Sequence, residues 1–213
     1  MAVNLAYSAA AEADPTTQNR PRRLKEFDDV TLPAGQRVEA RRVRIADIPL
    51  LLGQGEAGMG VALAPAITVA RVARAHPDSL WGFWRHERFV GGFAFLMLNR
   101  RGVEALLDDT IDLCDPPASV LAAAGDRPAG IYVWALLRSS AVAAEGIARV
   151  IVRLQQFPYE RSDLFALPAT PDGLRFMRGL GFRPVAQHPR ALHRYVRVAN
   201  RKDEWGVHER FME

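Results

Sequence analysis

Apolar positions along this chain change period from segment to segment, and the changes mark out its elements. Residues 36–45, QRVEARRVRI, alternate as a strand does, and Asp47 ahead of IPLLL reads as the N-cap of a short helix. GQGEAGMG then reads as a loop, and Ile67–Ala75 as a helix with Arg71 and Arg74 outward. SLWGFWRHER and FVGGFAFLMLN, rich in aromatic and β-branched residues around a charged tip at Glu87, predict a hairpin. Gly91 and Gly92 inside its second strand predict a bulge or a close backbone approach. Residues 100–129 form a longer connection, with helical pieces at VEALLDDTIDL and SVLAAA broken by Pro116-Pro117. IYVWALLR (131–138) is a continuous apolar run, as for a strand buried on both faces. Ile147, Val150, Ile151 and Leu154 give the next segment an amphipathic helical face, which Pro158 stops. SDLFALPAT predicts a short strand, Thr170-Pro171-Asp172 a capped helix ending at Gly181, and HRYVRV a last strand. The order predicts an α/β fold: a mixed sheet with helices on both faces.

Composition narrows this further. The chain has 213 residues, 49% apolar and 24% charged, which is one domain and a little over. The surplus falls in a polar leader over 1–35, the 100–129 connection, and a charged extension over 199–213. A single cysteine, Cys114, excludes an intrachain disulfide and a thiolate zinc cluster. The first twenty residues lack the pattern of a signal peptide, and no apolar run reaches the ~18 residues of a membrane span, so the expected location is cytoplasmic. Only Lys25 and Lys202 are lysine, leaving 26 arginines among 28 basic residues, and the net charge is +4. From Leu174 onward nine basic residues face four acidic ones, which reads as a solvated basic face. A nucleic-acid role through that region, with Trp205 and Phe211 as stacking residues, is disfavoured because neither sits in a recognisable motif.

Candidate chemistry is sparse. The five histidines show no metal-ligand spacing, so no metal site is expected. Gly53-x-Gly55-x-x-Gly58 follows a helical pattern rather than a strand, which argues against a dinucleotide fingerprint. Asp108, Asp109, Asp112 and Asp115 form an acidic group in the 100–129 connection that could attract a cationic amine.

The strongest unit spans 131–185. Ala143-Ala144-Glu145-Gly146-Ile147-Ala148-Arg149 resembles the pyrophosphate-binding turn of the GNAT superfamily of N-acetyltransferases, [QR]-x-x-G-x-[GA]. Thr170 to Phe182, TPDGLRFMRGLGF, resembles the same family's N-x-x-A-[IL]-x-F-Y-x-x-L-G-F helix. The resemblance implies a single GNAT-like domain over 36–198, with a mixed, mostly antiparallel central sheet flanked by helices. It also implies acetyl-CoA, or another acyl-CoA, held by the backbone of Ala135, Leu136 and Leu137 and by the turn Ala143, Ala144, Glu145, Gly146, Ile147, Ala148 and Arg149. A helix N-terminus offers unpaired N–H groups and partial positive charge to such a phosphate. The implied activity is acyl-CoA-dependent N-acyltransfer, typically of acetyl, to an amine-bearing small molecule or protein. The alternative is a catalytically degenerate CoA-binding or protein-interaction module, and the 100–129 connection is a candidate homodimer contact.

Three positions depart from the family pattern. Ala143 stands at its Gln/Arg, Thr170 at its frequent Asn, and Met177 at its general-acid tyrosine. A thioether cannot protonate a leaving thiolate. Tyr132 is the sole titratable catalytic candidate in IYVWALLR, and it reads better as a packed aromatic.

Overall fold

The two aromatic-rich runs fold as the predicted hairpin: β2 (Leu80–Arg85) pairs antiparallel with β3 (Arg88–Leu98). Between them His86 and Glu87 both take positive φ, 48° and 59°, the left-handed pair that suits a two-residue turn to strand twist. The structure, a computed structural model, describes residues 38–59, 63–138 and 142–197. The leader and the C-terminal extension lie outside the described residues.

β1 (Glu39–Arg42) flanks β2, and β4 (Gly130–Arg138) flanks β3, both antiparallel. β5 (Asp163–Ala166) joins β4 in parallel. The short β6 (Arg183–Pro184) and β7 (His193–Tyr195) complete a seven-stranded sheet in the order β1-β2-β3-β4-β5-β7-β6. The expected mixed, mostly antiparallel sheet is what forms.

Helices cover both faces, which is why β4 is apolar from Ile131 to Leu137. One face packs Phe93, Phe95, Ile131 and Val133 beneath α4 (Ala143–Arg153) and α5 (Pro171–Gly179). The other packs Leu96, Leu98, Tyr132, Trp134 and Phe165 beneath α1 (Ile48–Met59), α2 (Ala66–Ala75) and α3 (Arg100–Leu107). Strand residues one apart divide between the two layers, as the pleat requires. No helix among the described residues is long and apolar enough to cross a membrane.

Four local expectations change. Residues 53–59 are not a loop: α1 runs through all three glycines, at a propensity cost of about 1 kcal/mol each. Gly55 is buried there and lines a pocket between the helix and the sheet. The 100–129 connection buries Leu106, Ile111, Leu113 and Val120 in the second layer, and SVLAAA gives only a 3-10 turn, Ala118–Val120. A Cβ on Gly102 would meet the Val120 carbonyl at 2.2 Å, so α3 and this turn are in backbone contact. HRYVRV ends as a strand at Tyr195, because Arg197 turns inward. It is 5% exposed and donates to the carbonyls of Ser162 (3.1 Å) and Leu154 (2.7 Å). Its backbone N–H and the Arg194 guanidinium both donate to Asp163, tying this segment to β5.

α5 begins as its sequence says. Thr170 Oγ1 accepts from Gly173 N at 3.0 Å, Pro171 follows at the first helical position, and Gly181 takes φ +94° beyond the end. Thr170→Ala is expected to cost about 1 kcal/mol in urea unfolding, the usual worth of such a cap.

Candidate functional site

β4 and β5 pair only from Gly130↔Asp163 to Val133↔Ala166. Beyond that point β4 keeps β3 as its partner through four more residues, Ala135 to Arg138, while β5 has ended. A wedge opens between the two strands, bordered by the backbone of Trp134 to Leu137. At its start β4 carries a bulge: Ala94 faces Ala135 and Phe95 faces Val133, leaving Trp134 unopposed. Trp134 is locked there by donating Nε1–H to the Leu113 carbonyl at 2.8 Å. Bulges of this kind re-aim side chains beside sites.

The glycine pair on β3 serves this geometry. A Cβ on Gly91 would lie 2.6 Å from the Leu137 carbonyl, and one on Gly92 would lie 3.0 Å from the Trp81 carbonyl. Close approach is therefore the reason for both, and the β2–β3 irregularity falls at the neighbouring Val90. On the α1 side of the wedge lies an apolar pocket between α1, Leu63, Leu80, β3 and β4, into which Ala94, Ala135 and Leu137 face.

The first turn of α4 follows β4 across residues outside the described set. Its residues divide sharply. Ala143, Gly146 and Ile147 are buried against the sheet, and a Cβ on Gly146 would meet the Phe83 ring at 2.5 Å. Gly146 is thus a packing glycine that brings the helix onto β2, and only the outer side of the turn, with Ala144 exposed, can meet a ligand. Glu145 is committed within the protein: Oε2 accepts from Val38 N at 2.7 Å, and Oε1 pairs with Arg149 at 2.8 Å. Its carboxylate takes up part of the turn's positive character, and Arg149 is neutralised by it. Ala148 is half-buried on the same helix.

Leu136 packs in the α4 layer, with Met177 buried at 4% exposure in the same cluster, and the described residues place no acidic group at the family's tyrosine position. Tyr132 is 1% exposed among Leu96, Trp134 and Phe165, and burial pushes its phenol well above the usual range, so it stays protonated. It is a core residue. Three of the four aspartates of the 100–129 connection are already partnered, Asp115 with Thr68 and Arg71, Asp109 with Arg190, and Asp112 with the Cys114 N–H, and Asp108 is exposed at the end of α3.

Sequence reading missed two polar features. His193 is 3% exposed on β7 opposite Ala166; one ring nitrogen meets the Ala191 carbonyl at 2.8 Å, and Nε2 has no partner among the described residues. The second is a buried charge centre at Asp78, 1% exposed. Its carboxylate accepts from Arg42 Nε at 2.6 Å and from the Tyr159 hydroxyl, with Arg153 at 3.5 Å. Its own N–H donates to His76 Nδ1 at 3.2 Å. Burial raises the Asp78 carboxyl, but the hydrogen bonds from Arg42 and Tyr159 and the two arginine charges outweigh it and hold it below the ordinary range. Arg153 ends α4, so this centre lies about 15 Å along the helix from the turn at Ala143. It is an anchor for β1, β2 and α4, away from the wedge. No group of three His, Cys, Asp or Glu among the described residues could hold a metal ion.

A sheet with one parallel pair that parts after four residues, a bulge in the central strand, and a helix opening at that strand's end define the GNAT fold. Among solved structures the chain is similar to the loading GNATL domain of CurA from Lyngbya majuscula, with a TM-score of 0.53 and 12% identity over 75% of this chain and 98% of that one. It also aligns with a GNAT family acetyltransferase from Brucella melitensis in complex with acetyl-CoA, at TM-score 0.43 and 14% identity over 76% of this chain and 88% of that one. Aminoglycoside acetyltransferase AAC(6')-Ib in complex with coenzyme A aligns at TM-score 0.44 and 16% identity over 79% and 99%. At such identities the likeness concerns the fold alone, and it rests on the first of the three. No protein-family model matches the sequence, and no curated protein matches it.

Proposed function

We propose that the protein binds an acyl-CoA in the wedge between β4 and β5 and transfers the acyl group to an amine. The observation that carries this reading is that β5 stops pairing with β4 after Val133, which among the described residues leaves that edge of β4 with strand-spaced donors and acceptors for a linear amide-bearing arm. The small, exposed Ala144 leaves the helix N-terminus approachable from its outer side, which suits a pyrophosphate. Glu145 opposes that charge, so the backbone of the turn and the free edge carry the binding.

An acyl-CoA brings its own activated thioester carbonyl. The chain's task is then positioning: the β4 edge orients the arm, and a backbone N–H near Leu137 is placed to steady charge on the carbonyl oxygen. In the transfer a neutral amine forms the C–N bond as the C–S bond breaks, and the amine's proton passes to solvent. Met177 takes no part in that proton movement. The same Met177 favours the second reading, a CoA-binding or interaction module without catalysis.

Thermal-shift titration with free CoA and acetyl-CoA is expected to raise Tm, and Ellman detection is expected to show thiol release with an amine panel. No shift with either would overturn the CoA reading. A shift without thiol release across the panel would select the non-catalytic module.

A further inference from the structure

The apolar pocket lies beside the bulge, where β4 leaves β5, on the α1 face of the sheet. Leu51, Leu63, Leu80, Ala94, Ala135 and Leu137 line it, and no charged or hydrogen-bonding side chain among the described residues does. An ammonium or a polar acceptor placed there would lose its water with nothing in exchange. Hydrocarbon placed there would gain. Gly92 is among the lining residues: a Cβ at that position would stand 3.0 Å from the Trp81 carbonyl and 3.4 Å from Leu51 Cδ1, taking space between α1 and β3. Gly55 of α1 lines the pocket as well. A larger residue at Gly92 would take up part of that room.

We propose that this pocket receives the hydrocarbon tail of an acyl group longer than acetyl, so that the preferred donor is a short-chain acyl-CoA such as butyryl-CoA. The inference rests on the acyl-CoA reading of the wedge and adds its substrate class. The thioester carbonyl stands at the bulge and the chain runs beneath α1. The amine acceptor must then approach from outside the pocket, since the pocket is taken.

Calorimetric titration of the full chain with free CoA, acetyl-, propionyl-, butyryl- and hexanoyl-CoA tests this directly. Affinity is expected to rise about fourfold for each methylene beyond acetyl, the worth of one buried CH₂, and to level off once the pocket is full. Ala94→Leu narrows the pocket from β3, and Leu63→Phe narrows it from the segment before α2. If one of them fails to fold, the other remains. Each is expected to hold free-CoA affinity while returning the butyryl-CoA affinity to that of acetyl-CoA. Equal affinity across the series, or tightest binding of acetyl-CoA, would overturn the pocket assignment and leave the CoA reading standing. Absence of binding by every member, free CoA included, would overturn the CoA reading and the pocket assignment with it.

Discussion

Asp78→Ala is expected to remove about 2–3 kcal/mol of unfolding free energy, measured by urea denaturation. That is a large part of the 5–15 kcal/mol a domain usually has. The loss does not come from the ion pairs themselves, which desolvation nearly offsets. It comes from what stays behind: Arg42 and Arg153 without their carboxylate, and the buried Tyr159 hydroxyl without an acceptor. Tyr159→Phe removes one hydrogen bond to the same carboxylate and is expected to cost about 1.5–3 kcal/mol. The centre also makes stability pH-dependent in one direction. Asp78 has its folded pKa held below 3.8, so its contribution is complete above that value and is lost as pH falls through the folded pKa. His76 has its pKa lowered from 6.5, chiefly by burial, so the folded protein favours the neutral ring and loses stability as pH falls below 6.5. Both act together, and urea midpoints are expected to decline from about pH 6.5 downward, with a steeper fall below pH 4. In Asp78→Ala the steeper part should vanish.

Ala144→Asp is expected to move stability and CoA binding in opposite directions. Ala144 is exposed in the first turn of α4, so a carboxylate there meets the positive end of the helix and adds about 0.3–1 kcal/mol. The same charge would stand before a bound pyrophosphate. With Glu145 already in that turn, CoA affinity is expected to fall at least tenfold, and the deficit should shrink as salt is raised. Gly146 is a poor probe of the same contact, since any side chain there strikes Phe83 and lifts the helix from β2. Unchanged CoA affinity in Ala144→Asp would move the phosphate site away from this turn.

Elements announced by a period were legible in the chain. The hairpin, the doubly buried β4, the amphipathic α4 and the Thr170 cap each follow from neighbours in sequence, and each formed close to where it was expected. The glycine-rich α1 was not legible, because its helix is held by what it lies on rather than by propensity. The candidate site divides along the same line. A turn of small residues after a buried strand can be read, but the tasks of individual residues cannot. Gly146 answers to Phe83, and Glu145 answers to Val38, 107 positions away. The Asp78 centre draws on residues 36, 75 and 81 positions distant, and no local pattern announces it. The apolar pocket escapes for another reason: its residues are ordinary hydrophobic ones, and what makes it a pocket is how the fold sets them together.

The bulge at Trp134 carries a consequence for how β4 is counted. A regular strand sends odd and even residues to opposite layers, and up to Val133 this one does. After Trp134 the count is displaced by one, so Leu136 joins the α4 layer while Ala135 and Leu137 turn toward α1. Were the same letters kept in unbroken alternation, with no bulge, Ala135 and Leu136 would exchange layers, and the bulky chain now packed under α4 would stand where alanine leaves space. The emptiness beside the wedge is therefore a matter of reading frame in the strand, set by the one residue of β4 that β3 does not oppose.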